Sequence, residues 1–196
     1  MIRTVKNVKE VLDNLAKNKP KYIAEDMVLK KTNLLKREVV KLENQLNLSL
    51  PKDYKQMILT YDFSSFEVGS LRYFPGFSRN NDLISDLITF NSEKSVNPYL
   101  DIIKKNKLFK IGDYEGDLVC VSLTNGKIYL VDHETIDINI INSNFTKMVI
   151  CGGILTQNFQ TNNLNINKLM KEIRYTEKDH KALTFWRSFS EIFLDV

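Results

Sequence analysis

The chain has 196 residues, 43% hydrophobic and 27% charged, with a net charge of +4. That is an ordinary globular mix, and it argues against a disordered chain. The charge is uneven: residues 1–60 hold 13 Lys/Arg against 7 Asp/Glu, whereas from Asp113 to Asp137 six acids stand against Lys127 alone.

Val5, Val8, Leu12 and Leu15 recur at helical spacing before Pro20, which predicts a first amphipathic helix. A second is predicted in "KKTNLLKREVVKLENQLNLSLP", capped by Thr32 or Asn33, with Leu35, Val39, Leu42 and Leu46 as its apolar stripe. Pro51 suits the first turn of a third helix, with Tyr54, Met57, Ile58 and Tyr61 on one face. "FSSFEVGSLRYFPGF" then switches to aromatic and β-branched residues and reads as one or two strands. Asp82 is placed to cap a short helix through "LISDLITF", and "SVNPYLDIIKKNKL" reads as a loop followed by a helical turn.

Leu118 to Leu123 is almost continuously apolar, as in a strand buried on both faces. Asn125-Gly126 signals a hairpin through two residues that tolerate φ > 0, with Ile128 to Val131 as the return strand. "FTKMVICGGIL" begins as a helix that Gly152-Gly153 is expected to weaken. The tail is helical by periodicity, with Ile166, Leu169, Ile173, Leu183, Trp186, Phe189 and Phe193 on its apolar face. Helices grouped around a cluster of strands imply an α+β fold with a mostly antiparallel central sheet. We expect one domain over residues 1–196, with helical extensions at 1–31 and 160–196.

The chemistry turns on "IGDYEGDLVCVSLTNGKIYLVDHE", Ile111 to Glu134. Asp113, Glu115 and Asp117 alternate like the start of a calcium loop. The sixth and twelfth positions, however, are Leu118 and Thr124, not the Gly and Glu that such a loop needs. "GDYEGD" matches no phosphate-binding glycine pattern, and its acids would repel a phosphate. Asp132, His133 and Glu134 are consecutive, so on a strand only Asp132 and Glu134 share a face, and His133 reads as structural. Cys120 and Cys151 lie in apolar runs and read as buried thiols. The lysines of the first half alternate with acids along helices, the pattern of solvated faces rather than of a nucleic-acid site. No cofactor, metal, catalytic group or nucleic-acid contact is therefore expected. No apolar run nears the ~18 residues of a membrane span, and the N-terminus lacks an h-region, so the expected location is the cytoplasm, with no membrane contact.

"LENQLNLSLPKDYKQMIL", through Leu42, Glu43, Leu46, Leu50, Pro51 and Tyr54, resembles the first signature of the SUKH superfamily (Smi/Knr-like). Ile111-Gly112, Gly116-Asp117, Gly126 and Tyr129 through His133-Glu134 resemble its second block, and Phe145 fits the Phe that opens the next helix. "TEKDHKALTFWRSF", with Trp186, is similar to the branch with an extra C-terminal helix. The resemblance covers roughly residues 32–196, with a weak stretch at 62–108. It implies a sheet flanked by helices. It also implies a non-catalytic bacterial immunity protein that binds a cognate toxin of a polymorphic or contact-dependent system, often a nuclease, by stoichiometric occlusion. The alternative it leaves is a regulatory protein-interaction scaffold. The charge asymmetry makes Asp113, Tyr114, Glu115, Asp132 and Glu134 the expected partner-binding face, because clustered acids steer a basic partner.

Overall fold

Eight helices and eight strands occur among the residues described by the computed structural model, which are 2–17, 19, 28–64, 66–75, 82–160 and 165–192. Pro20 and Phe193 lie outside them. In chain order the elements are α1 (Val5–Ala16), β1 (Lys30–Lys31), α2 (Lys36–Leu46), α3 (Lys52–Ile58), β2 (Tyr61–Asp62), β3 (Glu67–Val68), β4 (Leu71–Arg72), α4 (Leu83–Ser92) and α5 (Leu100–Lys105). There follow β5 (Leu108–Tyr114), β6 (Asp117–Ser122), β7 (Ile128–Val131), β8 (Ile138–Asn142), α6 (Phe145–Gln160), α7 (Ile166–Thr176) and α8 (His180–Ile192). Strands β3 to β8 form one antiparallel sheet in sequence order, and β1 pairs with β2 apart from it. The α+β architecture with an antiparallel sheet is therefore observed.

Alternation along the strands sorts the core onto two faces. Phe109, Ile111, Val119, Val121, Ile128 and Ile141 join a large cluster with apolar residues of α1, α2, α3, α4, α6, α7 and α8. On the other face, among the described residues, Leu108, Leu118, Cys120 and Val131 meet only Leu100 and Ile103 of α5 as buried partners. β6 is thus buried on both faces, as its apolar run predicts. The second face is only partly roofed, and that partial roof positions the site.

The motif residues turn out to be joints between elements. One Glu43 oxygen accepts from the Leu50 amide at 2.7 Å and from Lys55 Nζ at 3.0 Å, tying α2 to the start of α3. Pro51 stands at the N-cap of α3. The ring of Tyr54 meets Phe145 edge-on at 4.9 Å. Asp53 accepts from the Thr146 amide and hydroxyl, joining α3 to α6. Trp186 is fully buried, edge-on to Phe185 and Phe189, so the tail docks on the core through it.

Several sequence expectations need correction. Asp82 caps α4 as expected, accepting from the Ser85 amide. Neither Thr32 nor Asn33 caps α2, however. Leu35 is the N-cap, and Glu38 reaches back to its amide at 2.7 Å, so the capping oxygen comes from inside the helix. Leu35 is exposed rather than part of the buried stripe. Tyr61 has left the α3 face for β2. Gly152-Gly153 do not weaken α6, which runs through them. A Cβ on Gly152 would fall 2.3 Å from the Tyr73 hydroxyl oxygen and 3.1 Å from Val68, and one on Gly153 2.7 Å from both Val8 methyls, so their emptiness lets α6 approach β3, Tyr73 and α1.

The hairpin expected at Asn125-Gly126 joins β6 to β7, with Ile128–Val131 as its return strand. At Asn125-Gly126 only Gly126 has positive φ, and the loop is four residues long, closed by Ser122 N–H to Lys127 O at 2.9 Å. The two-residue turn with both central φ positive, as type I′ demands, is instead Glu115-Gly116 (φ 49° and 97°), between the paired Tyr114 and Asp117. Gly112 lies within β5. It admits the β4 backbone, since a Cβ there would lie 2.2 Å from the Arg72 carbonyl oxygen.

Candidate partner-binding site

The Glu115-Gly116 turn brings β5 and β6 to the same end of the sheet as the turn between β7 and β8. The second turn is built by Asp132, whose Oδ1 accepts from the amides of Glu134 and Thr135. Those bonds, the Thr135 amide first, hold its carboxyl below the usual range. The two turns are joined by His133. Its amide donates to Asp117 Oδ1 at 3.0 Å, and its Nδ1 lies 2.7 Å from the same oxygen. The ring lies over Gly116, where a Cβ would crowd it at 3.2 Å. The bond to Asp117 and the neighbouring carboxylates raise the His133 pKa against the opposing pull of desolvation. Tyr99 closes the joint from the other side, its hydroxyl donating to the His133 carbonyl at 3.0 Å.

This end of the sheet presents Glu115 and Glu134, both exposed, with Asp132 half-exposed and Asp137 exposed beside them. Glu115, Asp132 and Glu134 therefore do share a surface, although they come from two separate hairpins. Asp113 and Tyr114 point elsewhere. Tyr114 turns to the core face, edge-on to Phe189 at 5.4 Å and Phe185 at 6.0 Å. Asp113 turns to the second face and contacts Lys110 Nζ at 2.7 Å.

The Lys110–Asp113 pair depends on a bulge. In an even strand, residues three apart face opposite sides. The register slips between Lys110 and Gly112, leaving Ile111 as an extra residue, so Lys110 and Asp113 emerge on one face. Lys110 is only 7% exposed, and its ammonium also lies 4.4 Å from the centre of the Phe90 ring. The pair floors a cleft of about 580 Å³ between the second face and the segment around Val96 to Tyr99, with Glu115 and Gly116 at one side of it. Nothing in the sequence pattern flagged Lys110, because a lysine inside a strand reads as solvated. The clue was the unbroken apolar surroundings of "LFKIG".

Burial raises the thiols of Cys120 and Cys151 far above the range of a reactive cysteine. Among the described residues no group of three or more His, Cys, Asp and Glu is arranged to hold a metal. No described helix is long and apolar enough to cross a membrane.

A helix-covered antiparallel meander, with a Glu-to-Leu-Pro joint and a Gly-Asp hairpin, defines a SUKH-type α+β protein. Residues 34–150 match the model of the SMI1 / KNR4 family (SUKH-1), more than half of the chain, and the chain belongs to that family. It is a family associated with immunity proteins. Comparison with curated proteins found no match.

Proposed function

We propose that the chain is a cytoplasmic immunity protein that neutralises a cognate toxin by covering it in a stoichiometric complex, without catalysis. The observation that carries this reading is the acidic end of the sheet. Glu115, Asp132, Glu134 and Asp137 stand together on two turns fixed by His133 and Asp117. Carboxylates of one sign gathered on two held turns speed encounter with a basic surface. A nuclease offers such a surface, because it must bind polyanionic substrate. A protein covering it with carboxylates competes with phosphates for the same cations. Family membership supports the immunity role, and the charge supports the class of toxin.

The test is co-expression with the product of the adjacent gene. The two proteins should co-purify as a complex of fixed stoichiometry, and toxin activity should fall to zero at that ratio. Loss of activity at substoichiometric amounts would indicate catalysis instead.

A further inference from the structure

We propose that the cleft between the second sheet face and residues 96–99 is a socket for an arginine side chain of the protein partner. This rests on reading the chain as a protein-binding one, and it names the group bound beside the acidic end.

Phe90, Val96 and Tyr99 give the cleft aromatic and apolar walls, and Val96 stays 39% exposed although apolar. The charges on its lining are Glu67, Asp113 and Glu115 against Arg72 and Lys110, one negative charge in surplus. Both cations already face carboxylates: Lys110 lies against Asp113 at 2.7 Å, and Arg72 Nε is 4.0 Å from Glu67. Glu115 stands at the side of the cleft, exposed, with one oxygen accepting from the Ser70 hydroxyl at 2.9 Å. A carboxylate accepts at about four lone-pair positions, so capacity for a cation remains.

A cleft with apolar and aromatic walls and a held carboxylate at its side fits a long stem with a cationic head. Arginine satisfies it better than lysine, because its planar guanidinium forks onto a carboxylate and stacks on aromatic rings. An apolar side chain in the same place would strip water from Glu115 without replacing it. A small anion would meet the surplus negative charge. The volume exceeds one side chain and leaves room for the partner backbone that carries it.

The test is an NMR titration of the ¹⁵N-labelled full chain with N-acetyl-arginine amide, with N-acetyl-citrulline amide as the neutral isostere. Saturable shifts are expected at Ser70, Val96, Tyr99 and Gly116, with a dissociation constant of roughly millimolar order. Citrulline should bind more weakly. Glu115→Gln should weaken arginine binding up to about fivefold, while Glu134→Gln, outside the cleft, should not. Absent saturation, equal response to citrulline, or shifts confined to residues 132–137 would overturn the socket. The titration contains no toxin, so its failure would leave the proposed immunity role standing.

Discussion

Asp117 Oδ1 receives both the amide and the ring of His133, at 3.0 and 2.7 Å, and so one carboxylate oxygen holds the two acidic turns together. The interaction strengthens when the imidazole is charged, and the His133 pKa lies above the ordinary 6.5. A group whose folded pKa is raised contributes stability below its unfolded pKa and loses it as pH rises through the folded value. Melting temperature should therefore decline modestly from pH 6 upward through the folded pKa, and Asp117→Asn should flatten that decline. An NMR titration of the His133 ring checks the cause: its midpoint should exceed 6.5 and drop in Asp117→Asn.

Asp113 has a structural assignment as the partner of a buried lysine. Asp113→Ala leaves the Lys110 ammonium under the cleft without its carboxylate, at a cost of about 3 kcal/mol. Lys110→Met combined with Asp113→Leu should restore most of that loss, since the pair is set among apolar neighbours. Urea denaturation of the two variants checks this. Equal losses in both would mean that the pair itself, not the orphaned charge, carries the stability.

Glu177 fastens the C-terminal helices. Burial pushes its carboxyl up, but the Ser143 hydroxyl and the amides of Asp179, Ser143 and Lys178 bond to it and bring it below the usual range. A depressed folded pKa gives stability above the unfolded value that is lost as pH falls through the folded one. Glu177→Ala should cost about 3 kcal/mol, a drop of roughly 6–12 °C in melting temperature. The wild-type advantage over Glu177→Gln should shrink below about pH 4.

Gly153 and Val8 are a complementary pair across α6 and α1. Alanine at 153 raises helix propensity by about 1 kcal/mol, yet its Cβ meets both Val8 methyls at 2.7 Å. Overpacking of about 1–3 kcal/mol should win. Val8→Ala alone opens a void in the core, and the double variant should lose less than the sum of the singles. A thermal-melt double-mutant cycle with zero coupling would contradict the contact.

The sequence made the local joints legible and the long-range ones invisible. Val8, Leu12, Val39 and Leu42 repeat at helical spacing because each faces the core, so periodicity found them. The apolar run Leu118 to Val121 declared a doubly buried strand for the same reason. Asn125-Gly126 marked its hairpin and Ile128–Val131 is the return strand, although only Gly126 takes positive φ there, whereas Glu115 takes it in the two-residue turn. Gly152-Gly153 looked like weakness because propensity sees only the helix, and the reason for them is in Tyr73 and Val8. At the candidate site, the acids of Glu115, Asp132 and Glu134 were visible as composition. Charge grouped them on one expected face, but the device that holds them there, two hairpins pinned by His133 to Asp117, left no sequence signal. Asp113 and Tyr114 lie beside Glu115 in sequence, but one bulge and the strand alternation send each to a different face.

On the proposed function, this acidic end meets a basic toxin surface. That encounter is tested most directly by stopped-flow association of the purified chain with the adjacent gene's product across ionic strengths, comparing wild type with a Glu115→Lys, Glu134→Lys variant. Wild-type association should slow steeply with salt, and the variant should associate about tenfold or more slowly at low salt with a flattened dependence. Identical rates and identical salt dependence for the two proteins would contradict it.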